Sequence, residues 1–430
     1  MIRLFITLAI TTIGCLVGYG QQTVKSISNY IETAKANSPL LKDYRNQLQI
    51  GQAELQQLKA MYTRSRLDLN GDYLFVPILV REGGKTFFRW NEQDAVDYYG
   101  YDLGEINGHL HVGATWTQPL LGYSSYKVAQ EQSRINMEIV RNNIRMEENQ
   151  LERAVTEQYL LCLLDQTQMA FAGSIDSLLK RQTDMVRRLA KDGLAKQSDL
   201  CLLVVEREVN VDMRLSSLQS YHTHLMELNQ LCGIDDTTDV ILTDAGLYLR
   251  LPLDNGILFT EQFRLDSLNT VASLRSFNLQ YRPRLNLFVD GGIQTGSFSQ
   301  WYRHFGWSAG MIFTWTLFDG KQKHWKERQA ELQQQSIRIY RNHAEYQRSM
   351  RLRQCLSELD NYDRRRKVMA EQLAGYERVL SDYAREIEAG QVSVLDYLTV
   401  LRNKIQTERD VMLMRTNRQL VIAAYNYWNH

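Results

Sequence analysis

The chain has 430 residues, 44% of them hydrophobic, and its 50 basic and 49 acidic side chains leave a formal charge of +1. No basic block or acidic tail breaks that balance, which argues against nucleic acid as a partner. Only 5 prolines interrupt long stretches of Gln, Glu, Arg, Leu and Ala, residues that lose little on entering a helix, so two or three ordinary mixed domains fit poorly.

The first residues read as an export signal. Arg3 precedes an apolar run from Leu4 to Val17, then small residues and a polar start at Gln21-Gln22. That is the build of a secretory leader, and the run is too short for a membrane span. Cleavage after Gly20 makes residues 1–20 the signal peptide. The alternative takes Thr12-Ile13-Gly14-Cys15 as a lipoprotein box, with Cys15 lipidated. No later stretch reaches about 18 apolar residues, so no transmembrane helix is expected. Cys162, Cys201, Cys232 and Cys355 match neither a zinc site nor a dense disulfide framework and are expected as buried free thiols in helices. The alternative is a Cys162–Cys232 pair, since both are nearly equidistant from a turn near Lys196.

From Leu41, apolar Tyr44, Leu48, Gly51, Leu55, Leu58 and Tyr62 follow at alternating steps of 3 and 4, a heptad seam that needs a partner helix. The period then becomes 2. Leu67, Leu69, Tyr73 and Phe75 alternate with Asp68, Asn70 and Asp72, and Leu110, Val112, Ala114 and Trp116 with His111, Gly113, Thr115 and Thr117. Leu285, Leu287, Val289 and Ile293 repeat the pattern, as do Trp307, Ala309, Met311, Phe313, Trp315 and Leu317. These runs predict strand pairs 67–76/109–118 and 285–294/307–317, each with an apolar face opposite small or polar residues. Strands of about ten residues, with aromatics near their ends, suit a barrel with lipid outside and water inside. Two strands per half cannot close one, so strands must come from other copies of the chain. Residues 77–107 and 295–306 are expected as surface loops.

From Leu121 to Lys191, and from Lys321 to Ala389, proline is absent and glycine almost so. About 70 residues make a helix on the order of 100 Å long. Each long helix ends at a Gly-x₅-Asp turn, and a return helix follows, 197–231 and 394–427. Gly193 and Asp199 recur as Gly390 and Asp396, and Leu120 as Leu317, at a constant offset (390 − 193 = 396 − 199 = 317 − 120 = 197). A repeat of that length points to duplication of half a protein. Residues 21–232 form the first repeat, 233–256 a linker or equatorial segment, and 257–430 the second repeat.

In this layout the chain resembles the TolC-like outer membrane factor family, the outer membrane efflux proteins. The likeness is carried by Asn37-Ser38-Pro39-Leu40, Thr117-Gln118-Pro119-Leu120 and Leu317-Phe318-Asp319-Gly320 at the junctions. Gly193-Leu194 through Asp199, and Gly390 through Asp396-Tyr397-Leu398, complete it at the tips. The resemblance implies a mainly α chain with a membrane β-barrel part, in which four strands from each of three chains form a twelve-stranded barrel. The long helical hairpins would continue it as a periplasmic tube. It also implies a homotrimer in the outer membrane, without cofactors. This passive duct would dock a periplasmic adaptor (membrane fusion) protein and an inner-membrane RND or ABC transporter, for efflux or type I secretion.

The family segment matching Asp396 contributes acids to a closed periplasmic mouth, so the resemblance implies a pore constriction there, with Asp199 as the first-repeat equivalent. The plain reading of Asp396 is a first-turn acid beside an N-cap, because Ser393-x-x-Asp396 has that spacing. Thr399 stands where the family often has a second acid. Gly193 and Gly390 are expected in turns that favour glycine, and with Leu194 at the surface that meets the adaptor. Asp72 and Asp290 fall on the expected lumen face, and Arg188, Arg385 and Arg402 lie near the tips as candidates for bridges to acids. His109-x-His111 and His222-x-His224 have no carboxylate or cysteine at ligand spacing, so no metal is expected. No nucleophile elbow, P-loop or His-Glu-x-x-His motif suggests an enzyme. The competing reading is an exported coiled-coil structural or interaction protein with a soluble sheet.

Overall fold

The computed structural model describes residues 24–75, 78–89, 108–193, 195–236, 238, 240–251, 257–295, 301–388 and 391–429. The expected signal peptide with Cys15, and the tip residues Leu194 and Gly390, lie outside the described residues. In chain order the elements are β1 (Val24–Lys25), α1 (Ile27–Asn37), α2 (Pro39–Thr63), β2 (Arg66–Phe75), β3 (Ile78–Glu82), β4 (Lys85–Arg89) and β5 (Gly108–Pro119). There follow α3 (Gly122–Lys191), α4 (Gln197–Cys232), β6 (Ile241–Leu242), α5 (Ile257–Phe277), β7 (Arg284–Thr295), β8 (Phe305–Thr314), α6 (Gln322–Glu388) and α7 (Val394–Trp428). With 70 and 67 residues, α3 and α6 are the long helices that the proline-free stretches foretold.

The chain divides into two compact units, the first formed by Lys42–Met146 and Gly256–Gln347. Its centre is an antiparallel sheet in the order β2-β5-β7-β8. The register sets Asp72 opposite His111, Thr115 opposite Asp290, and Asp290 opposite Ser308. Because alternate residues share a face, all of these lie on one side. The other side presents Leu67, Leu69, Tyr73, Val112, Val289, Trp307, Met311 and Phe313, with Leu69 80% and Trp307 77% exposed. A water-soluble sheet would bury such a face.

Glycine shapes the middle of this sheet. Asn70, Gly113, Gly292 and Gly306 stand in register across the four strands. A Cβ on Gly292 would lie 2.4 Å from the Gly113 Cα, so only glycine permits that approach. The Phe288 ring covers Gly310, where a Cβ would come within 2.9 Å of it.

Most expected ends lie within one or two residues of the observed ones, and two larger departures stand out. β8 stops at Thr314 rather than 317, because its partner begins at Arg284, directly after Pro283, which has no N–H to extend the ladder. The expected loop 77–107 contains a hairpin, β3–β4, turned by Gly83 and Gly84 at φ of 60° and 81°. Beyond β8, the Leu-Phe-Asp-Gly motif works as a helix cap. The Asp319 carboxylate accepts the N–H groups of Lys321 (2.9 Å) and Lys323 (2.8 Å) and the Tyr281 hydroxyl, while Gly320 and Lys321 take φ of 66° and 70°. On the helices, a Cβ on Gly51 would sit 2.7 Å from Met137 Cγ, which explains the glycine inside the heptad seam.

The second unit comprises Met1–Leu41, Glu147–Asn255 and Arg348–His430. Its motif Asn-Ser-Pro-Leu resolves into separate tasks. Pro39 begins α2 and keeps Ser38 out of the helical region (φ −49°, ψ 118°). The Asn37 amide donates to the carbonyls of Cys232 (3.0 Å) and Gly233 (3.1 Å), holding α1 to the end of α4. Gly233 closes α4 in the left-handed conformation, φ 62°.

One core of this unit joins Tyr30 and Ala34 of α1 to Val155, Tyr159 and Cys162 of α3 and Tyr221, Leu228 and Cys232 of α4. The short parallel pair β1–β6 lies over it, and the Tyr159 hydroxyl donates to the Thr243 carbonyl at 2.7 Å. Cys162 and Cys232 share this cluster as free thiols, each pushed up to about 12 by burial. Cys355 is also free and buried, but Cys201 is exposed, contrary to expectation. Its position on α4 follows Leu200 and precedes the buried Leu203, off the packed stripe. The linker is fastened by α7, where Asn429 donates to the carbonyls of Arg250 and Leu251 and Asn426 to that of Tyr248.

Candidate channel surfaces

On the polar face of the sheet, Asp72, His111 and Asp290 come from three adjacent strands. His111 Nδ1 is 3.1 Å from the Asp72 carboxylate and Nε2 is 3.8 Å from that of Asp290. Thr115 donates to Asp290 at 2.7 Å, and Asn70 donates to Thr115 at 3.3 Å. An imidazole between two carboxylates, tied by hydroxyl and amide groups, forms a polar network across the strands. The same face carries the small residues Gly113, Gly292, Gly306 and Ser308, and towards its other end Phe288 and Ile312.

At the hairpin ends, α3 stops at Lys191 and the chain turns through Gly193, φ 74°. The Gly193 N–H donates to Ala190 and the Ala195 N–H to Leu189. Among the described residues other than its chain neighbours, no atom lies within 4 Å of a Cβ built on Gly193, so the conformation rather than crowding calls for glycine. Asp199 is half-buried in the first turn of α4. Asp396 is exposed in the first turn of α7. The Ser393 hydroxyl accepts its N–H (3.2 Å) and donates to its carboxylate (2.7 Å). Directly behind these turns is a second core: Ile175, Leu179 and Val186 of α3, Leu203 of α4, Ile387 of α6, and Val394, Tyr397, Leu398 and Leu401 of α7. Burial pushes the Tyr397 hydroxyl up. Ion pairs cross this region from Arg207 to Asp176 (2.8 Å), from Lys404 to Glu377 (3.5 Å) and from Arg402 to Glu206.

No protein-family model and no curated protein matches the chain. Solved structures match it along nearly its whole length. The outer membrane protein VceC from Vibrio cholerae is 13% identical, covering 94% of this chain and 95% of that one at a TM-score of 0.73. A membrane protein from Pseudomonas aeruginosa is 14% identical over 95% and 91% of the two chains, with a TM-score of 0.72. The Neisseria gonorrhoeae MtrE outer membrane channel, in its open state, is 13% identical over 94% and 88%, with a TM-score of 0.70. The chain has the outer membrane channel fold.

Within the outer membrane channel fold, the structure brings Asp72 and Asp290 into one network and sets Asp396 and Asp199 each at the start of a return helix. Of the expected bridging arginines, Arg402 reaches another helix, whereas Arg385 pairs with Asp382 of its own. Sequence reading missed His111 as the link between Asp72 and Asp290. The strand pattern held that signal, since position 111 falls between them once the register is known. It also missed His224, whose Nδ1 is 2.5 Å from Asp165. Burial pushes the Asp165 carboxyl up even with that partner. Among the described residues no group of three His, Cys, Asp or Glu side chains is arranged to hold a metal ion.

Proposed function

We propose that the mature chain is the outer-membrane duct of a tripartite efflux or type I secretion system, a passive channel without catalytic chemistry. The observation that carries this reading is the sheet: four strands, both edges unpaired among the described residues, and one exposed apolar face. Ten residues at about 3.3 Å each, tilted by about 40°, rise roughly 25 Å, the height of a barrel's apolar band. An open edge in lipid leaves backbone groups unsatisfied, so β8 must meet the β2 of a neighbouring copy. Three copies closing a twelve-stranded barrel is the arrangement the family resemblance supplies. Exposed heptad seams on the helices support self-association. Trp325, Leu332, Ile339 and Tyr346 recur every 7 residues on α6, and Val204, Val211 and Leu218 do so on α4. Duplication also gains support, because α4 and α7 begin at Gln197 and Val394 (394 − 197 = 197).

In this reading residues 1–20 are removed as a signal peptide, or Cys15 is kept and lipidated. Asp72 and Asp290 face the lumen, and the helices stand in the periplasm. Asp396, with Asp199, narrows the periplasmic mouth, while the Gly193-Leu194 and Gly390 turns meet the adaptor, behind which an RND or ABC transporter supplies energy. Electron microscopy of the full-length protein extracted in detergent tests the proposal. A threefold tube with a short barrel sustains it; a monomer or two-stranded rod recovered without detergent sinks it and favours the structural coiled coil.

A further inference from the structure

The first strand of each half opens on an Arg-x-Arg pattern, Arg64-Ser65-Arg66 at the start of β2 and Arg282-Pro283-Arg284 at the start of β7, the last arginine of each being the strand's first residue. β2 and β7 are both antiparallel to β5, so they run the same way and bring the two Arg-x-Arg pairs to one end of the sheet. There Arg64, Arg66 and Arg284 line a cavity of about 350 Å³ whose other walls include Met61, Leu121 and Leu285. Asp68 holds Arg66 at 2.6 Å. Among the described residues, no carboxylate lies within 4.0 Å of the guanidinium of Arg64 or Arg284, so the cavity keeps two uncompensated positive charges. By register Arg66, Thr117, Arg284 and Asn286 belong to the polar face and Leu285 to the apolar one, so the cavity sits at the end of the sheet with its strand arginines on the polar side.

We propose that this cavity binds an amphipathic anion, a single carboxylate, sulfate or phosphate group on an apolar body. Arginine forks take such groups through paired charge-assisted hydrogen bonds, and the guanidinium is more weakly hydrated than an ammonium. A bare inorganic anion would leave the apolar walls unused, and an uncharged chain would leave the arginines unanswered. The volume lies within the roughly 300–1,000 Å³ range of small-molecule sites. The site rests on the channel reading only in taking the polar face as the lumen. The test below reads binding rather than assembly, so either idea can fail alone.

The test uses the full-length chain in phosphatidylcholine nanodiscs with photoreactive dodecyl phosphate as probe, corrected for empty discs. The label is expected in residues 61–66 and 283–286, displaced by dodecyl phosphate but by neither dodecanol nor inorganic phosphate. The triple variant Arg64→Gln, Arg66→Gln, Arg284→Gln is expected to weaken binding roughly tenfold or more. A triple lysine variant, which keeps the charge but not the paired fork, should fall between the parent and the glutamine variant and checks that the fold survives. If the triple glutamine variant does not assemble, Arg284→Gln alone carries the same comparison. Label outside these segments, equal affinity of the glutamine variants, or displacement by dodecanol overturns the proposal. Native mass spectrometry then names the source of the shared chemistry. An anionic phospholipid retained by the parent and lost from the variant marks a membrane lipid, and a parent that binds the probe but retains no lipid marks passing cargo.

Discussion

Ser308 and Ala309 are neighbours on β8 whose side chains point to opposite faces, with Ser308 directly across from Asp290. Ala309 is the fifth residue of ten in the strand and so lies near mid-height of the apolar band. In the proposed barrel an arginine at 309 would face hydrocarbon, at a cost of about 2–4 kcal/mol near the bilayer midplane. That is roughly a 30- to 1,000-fold loss in the equilibrium between inserted and unfolded chain, at about 1.4 kcal/mol per decade. With three copies in the proposed barrel, the penalty per assembly rises to about 6–12 kcal/mol if the sites are independent. An arginine at 308 would enter water beside a carboxylate and should change stability by less than about 1 kcal/mol. The assay is guanidinium unfolding of the protein in lipid vesicles, read by tryptophan fluorescence and by the heat-dependent shift in gel mobility. Ala309→Arg should lower the midpoint sharply, and Ser308→Arg should leave it nearly unchanged. Equal effects, or a larger one at 308, would refute the assignment of faces and with it the barrel.

Asp396→Ala should raise single-channel conductance in planar bilayers or weaken block by divalent cations, and unchanged values of both would remove its role as a constriction. Ser393→Ala should cost about 1 kcal/mol through loss of the cap on α7, seen as a lower thermal midpoint; no shift would mean water replaces the hydroxyl. Cys201 should react with iodoacetamide at neutral pH within minutes while Cys162 and Cys232 stay unmodified, since it is exposed and their thiols are buried and pushed up to about 12; equal labelling by peptide mass mapping contradicts the packing of that core. Glu152 is partly buried, which raises its carboxyl, but hydrogen bonds from Lys35 and Arg250 outweigh this and hold it below the ordinary range. Its stabilisation is therefore complete above the unfolded glutamate value and is lost as pH falls through the lower folded one. The thermal midpoint of Glu152→Gln should depend less on pH between 7 and 3 than that of the parent, and identical slopes would discount the bridge.

The helices and strands were legible because each imposes a period and α3 and α6 contain almost nothing that breaks one. The junction motifs were visible as resemblance, but their physics was not. Only the coordinates show that Asp319 collects the Lys321 and Lys323 N–H groups, or that Asn37 reaches across to the carbonyl of Cys232. The β3–β4 hairpin escaped because aromatics and charges around Gly83-Gly84 masked a turn dipeptide that ordinarily signals one. Ion pairs such as Arg207–Asp176 depend on the register of two helices about a turn, which a one-dimensional pattern fixes only loosely. The exposure of Cys201 had the same cause: a buried stripe on α4 is set by which of several neighbours it meets.

The two unfilled edges of the sheet also bear on inheritance. In the proposed assembly, a chain completed by its own copies shares every defect with its partners. Suppose a cell makes equal amounts of the parent and a variant with proline in β8, able to join through β2 but not to close through β8. Under threefold closure only about one barrel in eight would be wholly parental, because all three subunits are drawn from the same pool. If the proposed closure holds, a loss that would be recessive in a monomeric pore becomes dominant, because the sheet of one chain stops at four strands.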